Sequence, residues 1–498
     1  MMPAQCLGEH LHLADLVPGA ELAAGGNPRI AGISVDSRRI APGDLFAACS
    51  GASTHGLAHA REAIDRGAVA IVWEPAAGIT PEPALGVPTV AVPGLGRELG
   101  QLAAMIYGQP SADLCLFAVT GTDGKTSVSQ FLAQALAAAS DRCGLIGTLG
   151  YGLYPGLDPA SHTTPDAARL QQLLAEFRDA GARHAVMEAS SHALDQGRLN
   201  AARVAIAVLT NLGRDHLDYH GTEQSYAEAK RLLFRQPGLQ SAVVNLDDSF
   251  GCSVRRSLAP GIRRIGYSMQ ADSDAHVVAT SLKMHATGFR LEAITPVGLV
   301  AADLPLLGRF NAQNVLAVIG ALVALGWSAT EIQRSVAALS AVPGRMQRFS
   351  VAGKPLVVVD YAHTPGALRA ALHGLRRHVD GRLVCVFGCG GDRDRGKRPL
   401  MAAAAERLAN RVVLTDDNPR GEPPARIVAD IQQGFRRGSA QVVHDREAAI
   451  AEAIHMAGPS GVVLVAGKGH EQVQIGADGA RPFSDAETVQ RLLGGAGS

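Results

Sequence analysis

The segment Leu114-Cys-Leu-Phe-Ala-Val-Thr120 leads directly into Gly121-Thr-Asp-Gly-Lys-Thr126. Its apolar half predicts a buried strand, and its glycines predict a tight turn. Beyond the turn, apolar residues recur between Val128 and Ala139 with the spacing of one helix face. A strand, a glycine-rich turn and a helix in this order are typical of phosphate-binding loops, because backbone N–H groups and the helix N-terminus hold negative charge there. The segment therefore predicts an α/β domain with an anion site at this turn.

The turn carries side chains that suit a nucleoside triphosphate and a divalent cation. Lys125 would contact the β- and γ-phosphate oxygens, and the Thr126 hydroxyl would bind Mg²⁺. A complete Walker pattern has a further glycine where this chain has Val119, so the loop keeps only the shorter Gly-Thr-x-Gly-Lys-Thr form. Asp123 adds a carboxylate beside the phosphates, and Mg²⁺ or Lys125 must offset its charge. We expect ATP to contact the whole turn, namely Gly121, Thr122, Asp123, Gly124, Lys125, Thr126 and Ser127.

The rest of the chain repeats this alternation of strand and helix. Short runs rich in Val, Ile, Leu and Ala predict buried strands at residues 71–73, 205–209, 243–244, 356–359, 383–387, 412–414 and 462–465. Several of them precede helix-period patterns, which indicates βαβ units and doubly wound, mostly parallel sheets. With 498 residues, about three domains are expected. Breaks at residues 107–111 and 342–344 place these domains at 1–108, 109–342 and 343–498.

Composition narrows the class of function. Lys plus Arg number 46 and Asp plus Glu number 46, while aromatic residues make up 4%. Neither a basic surface nor a base-stacking platform is indicated, so no nucleic-acid partner is expected. The seven cysteines form no CxxC pair, which favours buried thiols in a reducing compartment. The first positive charge is Arg29, and the longest apolar run, residues 315–327, is too short to span a bilayer. We therefore expect a cytoplasmic chain without a membrane partner.

Two further strand ends carry polar side chains. Glu188 ends the apolar run that begins at His184, and His216 and His220 follow the next strand. Open α/β sheets bind ligands at the carboxyl ends of their strands, so these groups are expected near the phosphate loop. Mg²⁺ prefers a few protein oxygens together with phosphate, which fits Glu188 and Thr126. The two histidines have H-x3-H spacing but lack an HExxH motif and cysteine partners, so zinc is only weakly indicated.

Together these motifs resemble the Mur ligases, ATP-dependent enzymes that form amide bonds in peptidoglycan synthesis. The resemblance spans essentially the whole chain and is closest to the members that add 2,6-diaminopimelate. Its further motifs are Asp36-Ser-Arg38, Pro42-Gly-Asp-Leu-Phe46, Thr163-Thr-Pro165, Glu188-Ala-Ser-Ser-His192, Asp215-His-Leu-Asp-Tyr-His220, Ala229-Lys230, Asn311-Ala-Gln-Asn314, Gly344-Arg-Met346, Asp360-Tyr-Ala-His-Thr-Pro365, Gly388-Cys-Gly-Gly-Asp-Arg393, Asp417-Asn-Pro-Arg420 and Gly467-Lys-Gly-His-Glu471. The family implies a central P-loop-type doubly wound sheet, flanked by an N-terminal UDP-binding α/β domain and a C-terminal Rossmann-like domain that binds the amino acid.

The resemblance also implies a reaction. ATP would phosphorylate a carboxylate of UDP-N-acetylmuramoyl-L-alanyl-D-glutamate, and the amine of meso-2,6-diaminopimelate would then displace phosphate. The positions that match the UDP-N-acetylmuramoyl-dipeptide site are Val35, Ser37, Ala52, Ser53, Thr54, Thr163, Thr164, Ser190, Gln196 and Arg198. Further ATP contacts match Asn314, Arg345 and Asp360. The implied Mg²⁺ site consists of Thr126, Glu188, His216 and Lys230, the last matching a lysine that CO₂ carbamylates into an anionic ligand. Lys125, Lys230, His216 and Glu188 are the implied catalytic residues.

The identity of the added amino acid is predicted from an arginine and its neighbours. Diaminopimelate differs from lysine by a second carboxylate, and the planar fork of Arg420 is able to bind a carboxylate bidentately. The resemblance adds Arg393, Asp417, Asn418, Pro419, Gly467 and Glu471 to this site. A lysine-adding Mur ligase and a folylpolyglutamate synthetase stay open as alternatives. So do a non-catalytic nucleotide switch and, from the glycines at 388 and 390, a dinucleotide oxidoreductase. We expect a monomer.

Overall fold

The computed structural model describes residues 11–19, 26–51, 54–82, 85–378 and 381–494. The chain forms two compact units, which divide after Gly266. Both units contain largely parallel sheets with helices between successive strands, so the α/β prediction is confirmed. The division into three domains stays a prediction.

The first unit begins with a four-stranded parallel sheet of order β1-β2-β3-β4. Its elements are α1 (Leu13–Leu16), β1 (Gly32–Ser34), β2 (Asp44–Ala48), α2 (Ala60–Asp65), β3 (Ala70–Trp73), β4 (Thr89–Ala91) and α3 (Leu95–Ile106). Successive residues of β2 pack into different cores, with Leu45 on one face and Phe46 on the other. Both faces are therefore covered, which explains why its sequence is continuously apolar.

A second sheet of the first unit contains the phosphate loop. Its strands are β5 (Cys115–Thr120), β6 (Cys143–Gly147), β7 (Gly150–Leu153), β8 (His184–Glu188), β9 (Val204–Leu209), β10 (Ser241–Asn245) and β11 (Arg263–Ser268). Its helices are α4 (Lys125–Ala138), α5 (Ala167–Asp179), α6 (Ser191–Asp195), α7 (Leu217–His220), α8 (Glu223–Arg231) and α9 (Ser249–Ser257). Strand β5 lies between β8 and β9 and runs parallel to both. Because later strands lie on either side of β5, its carboxyl end is a topological switch point, where such sheets bind ligands.

The second unit opens with an antiparallel meander that the sequence did not predict. Strands β12 (Val277–His285), β13 (Gly288–Thr295) and β14 (Gly298–Leu304) pair in chain order. Helices α10 (Arg309–Leu325) and α11 (Ala329–Ala337) follow. The apolar run at residues 315–327 falls mostly within α10 and is buried there. Among the residues that the structure describes, no helix combines the length and apolar character needed to cross a bilayer.

The second unit ends in a sheet of order β15-β16-β20-β17-β18-β19, in which only β15 runs antiparallel to its neighbour. Its strands are β15 (Gln347–Phe349), β16 (Leu356–Asp360), β17 (Leu383–Phe387), β18 (Arg411–Leu414), β19 (Gln441–Val442) and β20 (Val462–Ala466), followed by the hairpin β21 (Val473–Gly476) and β22 (Gly479–Pro482). Its helices are α12 (Pro365–Arg376), α13 (Lys397–Leu408), α14 (Pro424–Gln432), α15 (Arg446–Ala457) and α16 (Asp485–Leu492). Separate apolar clusters cover the two faces, so the buried-strand predictions for this part are confirmed.

The cysteines of the described ranges are free thiols. Cys143, Cys385 and Cys389 are buried, and burial raises the pKa of Cys143 and Cys389 to about 12. Such thiols stay protonated at neutral pH and act as small apolar side chains. The expectation of buried cysteines is confirmed for these three, whereas Cys49, Cys115 and Cys252 are half-buried.

Candidate functional site

The phosphate loop joins β5 to α4 through two glycines with positive φ. Gly121 has φ +151°, and a β-carbon there would lie 1.8 Å from Thr210 Oγ1. Gly124 has φ +84° and ends the turn, so that α4 begins at Lys125. Only glycine fits at residue 121, because the turn passes directly against the end of β9. This geometry leaves the N–H groups at the start of α4 beside the loop, as an anion site requires.

Residues that follow β9 hold the loop in place. The Asn211 carbonyl accepts a hydrogen bond from Thr122 N at 2.9 Å, and Asn211 Oδ1 accepts one from Asp123 N at 3.0 Å. Thr122 Oγ1 also lies 3.1 Å from Tyr226 OH. The fold therefore fixes the turn in advance, which lowers the entropy cost of binding a ligand there. Asp123 is exposed, so its carboxylate is solvated.

Lys125 folds back over the turn that precedes it. Its Nζ donates hydrogen bonds to the carbonyl oxygens of Gly121 and Thr122, each at 2.9 Å. These contacts keep a positive charge over the loop, where phosphate oxygens would compete for the same N–H groups. Thr126 and Ser127 lie in the first turn of α4 and are buried. The predicted order of strand, glycine turn and helix is thus confirmed, while the contacts to ATP stay a prediction.

Glu188 ends β8 and is 1% exposed. Its Oε2 accepts hydrogen bonds from Thr126 Oγ1 at 2.9 Å and from Thr148 Oγ1 at 3.1 Å, while Oε1 accepts one from Thr148 N at 2.8 Å. Thr148 Oγ1 in turn lies 3.1 Å from Thr163 Oγ1. A carboxylate is rarely buried without a cation or several donors, because desolvation is costly. The structure therefore brings Glu188 to the loop hydroxyl that the sequence predicted beside it.

These oxygens fit a magnesium ion. Mg²⁺ is a hard cation that binds one or two carboxylates plus phosphate oxygens and water, and the buried Glu188 carboxylate beside the Thr126 hydroxyl offers such a donor set. Within the described ranges, no group of three or more His, Cys, Asp and Glu side chains is arranged to hold a metal ion. Glu188 and Thr126 thus leave most of the coordination of such an ion to phosphate oxygens and water.

Lys230 is a buried lysine against the same loop. It is 1% exposed, and its Nζ donates a hydrogen bond to Gly121 O at 2.8 Å and lies 4.4 Å from the centre of the Tyr226 ring. Burial lowers the pKa of Lys230 well below the ordinary value, and the nearby charge of Lys125 lowers it further. Both effects shift the equilibrium toward the neutral amine, which is the nucleophilic form of lysine.

The ring of His216 lies 6.3 Å from that of Tyr226, the ring that Lys230 also contacts. Burial lowers the pKa of His216, Asp215 opposes this effect, and the positive charges of Lys125 and Lys230 lower the pKa further. The ring of His192 packs at 4.7 Å from that of His216. A neutral imidazole is the form that binds metals. The structure therefore places the four predicted catalytic residues around one loop, although their roles stay predictions.

Five positions matched to the dipeptide adjoin this centre, namely Thr163, Thr164, Ser190, Gln196 and Arg198. Thr164 Oγ1 donates to the Glu188 carbonyl at 2.7 Å and accepts from Ser190 N at 3.2 Å. Arg198 Nη1 donates to Thr164 O at 2.8 Å, and Arg198 Nε and Nη2 both donate to Gln196 Oε1. These hydrogen bonds join the polar groups into one network that begins at the backbone of Glu188.

The positions matched to the UDP moiety lie at the carboxyl edge of the first sheet. Val35 and Ser37 follow β1, and Thr54 follows β2. Ser37 Oγ donates a hydrogen bond to Glu62 Oε2 at 2.7 Å. Ala52 and Ser53 lie outside the described residues. The strand ends thus collect the described positions at one edge, where parallel sheets bind ligands.

Two of the three further ATP positions lie together in the second unit. Asp360 ends β16, where its Oδ2 accepts a hydrogen bond from Met346 N and its Oδ1 one from Ala362 N, both at 2.8 Å. The guanidinium of Arg345 stacks on the Tyr361 ring at 4.4 Å. The third, Asn314, lies on α10 and donates from Nδ2 to Asn311 Oδ1.

His470 packs beside this cluster and provides a pH test of it. Its ring lies 5.3 Å from that of Tyr361. Burial and, to a lesser extent, the charge of Arg345 lower the pKa of His470 to about 4. Between about pH 4 and about pH 6.5, His470 therefore binds fewer protons in the folded protein than in the unfolded chain, so its contribution to stability falls as the pH decreases through this window.

We expect the His470→Gln variant to lose less stability on acidification than the wild type, by up to about 3 kcal/mol between about pH 7 and about pH 4. Urea unfolding at both pH values measures the difference. His455→Gln, at an exposed histidine of α15, is the matched control and should behave as the wild type. Equal acid sensitivity of His470→Gln and the wild type would contradict the stated role of burial.

The residues matched to diaminopimelate converge at the carboxyl ends of β17, β18 and β20. A β-carbon at Gly390 would lie 2.8 Å from Arg420 Nη1 and 3.7 Å from Arg393 Cγ, so both arginines adjoin that glycine. Asn418 Nδ2 donates to Glu471 Oε2 at 2.8 Å. A β-carbon at Gly467 would lie 2.7 Å from the Asp417 carboxylate, and one at Gly391 would lie 1.9 Å from Pro419 O. The structure brings this whole set together.

Sequence reasoning missed three residues of these sites. Thr148 binds Glu188 through both its N–H and its hydroxyl, and Asn211 fixes the phosphate loop. Both follow predicted or observed strand ends, so the rule that located Glu188 applies to them as well. Lys468 lies within the motif Gly467-Lys-Gly-His-Glu471, for which no role of the lysine is predicted, yet it is fully buried and donates to Asn418 and Glu471.

Family models match the chain in three consecutive parts. Residues 29–107 match the Mur ligase family catalytic domain, residues 119–322 match the Mur ligase middle domain, and residues 344–469 match the Mur ligase glutamate ligase domain. The chain is also 52% identical over 486 residues to the UDP-N-acetylmuramoyl-L-alanyl-D-glutamate–2,6-diaminopimelate ligase of Alkalilimnicola ehrlichii, with 96% of this chain and 98% of the relative covered.

Solved structures agree at the level of the fold. A structure of a UDP-N-acetylmuramoyl-L-alanyl-D-glutamate–2,6-diaminopimelate ligase is 37% identical, covers 97% of this chain and 99% of its own, and has a TM-score of 0.69. A Mycobacterium tuberculosis folylpolyglutamate synthase complexed with ADP and AMPPCP is 19% identical, covers 80% of this chain and 95% of its own, and has a TM-score of 0.63. At that identity the second likeness concerns the fold alone.

Proposed function

Since the chain belongs to the Mur ligase family, we propose that it is an ATP-dependent ligase that adds meso-2,6-diaminopimelate to UDP-N-acetylmuramoyl-L-alanyl-D-glutamate in peptidoglycan precursor synthesis. The observation that carries the ligase chemistry is the preformed phosphate loop, with Lys125 folded over it and Glu188 bound to Thr126. The relative from Alkalilimnicola ehrlichii and the solved structure of 37% identity both bear the name of this activity and support the substrates. We propose a cytoplasmic monomer.

The chemistry explains why the loop needs these groups. A carboxylate is a poor electrophile, so the amide bond requires the substrate acid to be converted first into an acyl phosphate. The γ-phosphoryl group of ATP moves to the carboxylate oxygen, ADP leaves, and the neutral amine then attacks the acyl carbon and releases phosphate. Two anions must meet in the first step, so catalysis consists mainly of positioning and charge neutralisation. Lys125 and the N–H groups at the start of α4 supply both.

Magnesium would be held by Thr126, Glu188, His216 and a carbamylated Lys230. Bound there, Mg²⁺ would supply positive charge to the transferred phosphoryl group. The low pKa of Lys230 favours the amine that reacts with CO₂. In that reaction the Nζ–C bond forms, one C–O π bond of CO₂ opens, and the neutral amine loses one proton, so an anionic carbamate oxygen becomes available as a donor. The buried Lys230 would thereby become a metal ligand.

The second unit supplies the amino-acid site. The guanidinium groups of Arg393 and Arg420 suit the distal carboxylate of diaminopimelate, and the Asp417 and Glu471 carboxylates suit its distal ammonium. L-Lysine lacks the distal carboxylate and would leave these arginines without their partner. A site built to bind a polar group rejects the analogue that lacks it more strongly than an apolar site rejects a missing methylene.

Amide formation with purified protein tests the proposal. The assay combines ATP, Mg²⁺ and UDP-N-acetylmuramoyl-L-alanyl-D-glutamate with either meso-diaminopimelate or L-lysine, and a folate with glutamate serves as the rival pair. We expect acceptor-dependent ADP release and a tripeptide product, detected by mass spectrometry, with meso-diaminopimelate preferred. A preference for L-lysine would mean that lysine is the amino acid that the enzyme adds. Turnover only with the folate pair would mean that the chain is a folylpolyglutamate synthetase. ATP hydrolysis without an amide product would indicate a nucleotide switch.

A further inference from the structure

Lys468 is a fully buried lysine inside the amino-acid site. It follows β20 and has 0% exposure, although lysine is among the residues least often buried. Its Nζ donates to Asn418 Oδ1 at 3.0 Å, to Glu471 Oε2 at 3.0 Å and to Val473 O at 2.6 Å. Three acceptors require three N–H groups, and only the ammonium form has them. Lys468 is therefore a buried cation whose hydrogen-bonding capacity is fully used.

These bonds fix the two polar side chains that lie beside Lys468. Asn418 Oδ1 accepts from Lys468 Nζ and from Ile475 N, so the Asn418 amide can present its Nδ2 only toward Glu471. Both of the described hydrogen bonds to Glu471 end on Oε2, and this side chain is 29% exposed. Glu471 is thus held through Oε2 while its side chain stays partly accessible to a ligand.

Residues of the hairpin β21–β22 contact Lys468, Asp417 and Arg420. Val473 accepts from Lys468, and Gln474 Nε2 donates to Asp417 O at 2.7 Å. Arg420, whose φ is +52°, donates its backbone N–H to Ile475 O at 3.0 Å. The hairpin therefore holds Arg420 in an unfavourable backbone conformation. The carbonyl of Val473 in the same hairpin accepts one of the three hydrogen bonds of Lys468.

Lys468 also contributes a positive charge beside the two carboxylates of the site. Its Nζ lies 3.0 Å from the Glu471 carboxylate and 4.0 Å from that of Asp417. Because Lys468 partly offsets these negative charges, they attract a ligand end that carries an ammonium alone less strongly. Loss of the Lys468 charge would reduce the disadvantage of such a ligand.

Building on the ligase function above, we propose that Lys468 is a positioning and specificity-determining residue for the incoming amino acid. It orients Asn418 and Glu471 by hydrogen bonds, and its charge favours an amino acid whose far end carries a carboxylate over one that ends in an ammonium alone. Lys468 itself need not touch the substrate, because its three N–H groups are already engaged by protein acceptors.

Steady-state kinetics of the Lys468→Met variant with meso-diaminopimelate and with L-lysine test this role. We expect the KM for meso-diaminopimelate to rise about ten- to hundredfold, the range of one lost hydrogen bond to a charged group. The preference for meso-diaminopimelate over L-lysine should fall by about tenfold or more. The KM values for ATP and for the UDP-linked acceptor should stay unchanged, which a general loss of structure would not produce. Lys354→Met removes an exposed lysine of the same unit and is the matched control.

A double variant covers the case in which Lys468→Met folds poorly because Glu471 loses its partner. Lys468→Met with Glu471→Gln removes both charges of the pair, and its amino-acid preference should be weaker than that of Glu471→Gln alone. A wild-type preference in Lys468→Met, or a preference of the double variant equal to that of Glu471→Gln, would overturn the proposal. If the wild type does not add diaminopimelate, the proposed function and this role are both contradicted. If the wild type adds it and the variants keep the unchanged preference, only the role of Lys468 is contradicted.

Discussion

Replacing Lys125 with methionine is expected to lower the turnover number by at least about a thousandfold while the protein still folds. The Lys125 ammonium is the cation that lies over the turn, bonded to the carbonyl oxygens of Gly121 and Thr122. Phosphoryl transfer brings two anions together, so the loss of a preorganised positive charge acts directly on the transition state. Methionine keeps the length and apolar contacts of the lysine stem, and Lys125 is only partly buried, so the free energy of unfolding should change little.

The measurement is the initial rate of ADP release with saturating substrates, together with a thermal unfolding curve. Lys354→Met makes the same chemical change at an exposed position and should retain full activity. Removal of Lys125 also removes one of the charges that lower the pKa of Lys230, so that pKa should move back toward its ordinary value. A Lys125→Met enzyme that retained more than about a tenth of wild-type turnover would contradict the role of this lysine in charge neutralisation.

Replacing Glu188 with glutamine is expected to lower activity by at least about a hundredfold at a magnesium concentration that saturates the wild type. Glutamine has the same shape and can keep the hydrogen bonds: its oxygen can accept from Thr148 N, and its amide can donate to the hydroxyls of Thr126 and Thr148. Only the negative charge is lost. The free energy of unfolding should therefore change by less than about 1 kcal/mol.

Magnesium titrations separate metal binding from fold. The concentration of Mg²⁺ that gives half-maximal activity should rise in Glu188→Gln, and excess Mg²⁺ should restore part of the rate. Glu98→Gln, at an exposed glutamate of α3, is the matched control and should follow the wild-type titration. An unchanged magnesium requirement in Glu188→Gln would show that this carboxylate does not serve the ion.

Much of the fold was predictable because the parallel strands are buried on both faces. Continuous apolar runs such as residues 383–387 and 462–465 coincide with β17 and β20, and the glycine turn after β5 matched a known physical pattern. The meander β12–β14 was missed for the converse reason. Its strands mix exposed and buried positions, as in β12, and the sequence there lacks a sustained apolar run.

Site residues could be predicted where a polar side chain follows the end of a strand. Their hydrogen-bond partners could not be predicted where those partners lie far away in the sequence. Glu188 could be placed near the loop from its strand position alone. Thr126 and Glu188 are 62 residues apart, and only the sheet order brings β5 beside β8. The role of Lys468 is hidden for a different reason: a lysine between two glycines suggests an exposed turn, and nothing in the letters shows that three acceptors surround it.

The close approach of Gly121 to the end of β9 has a consequence for any inhibitor that occupies the phosphate loop. Every side chain introduced at this residue would collide with Thr210 and would require a backbone conformation that only glycine adopts readily. A bulky replacement at residue 121 is therefore not a route by which the enzyme could become resistant. A compound whose affinity depends on the Gly121 backbone would force escape mutations to arise elsewhere.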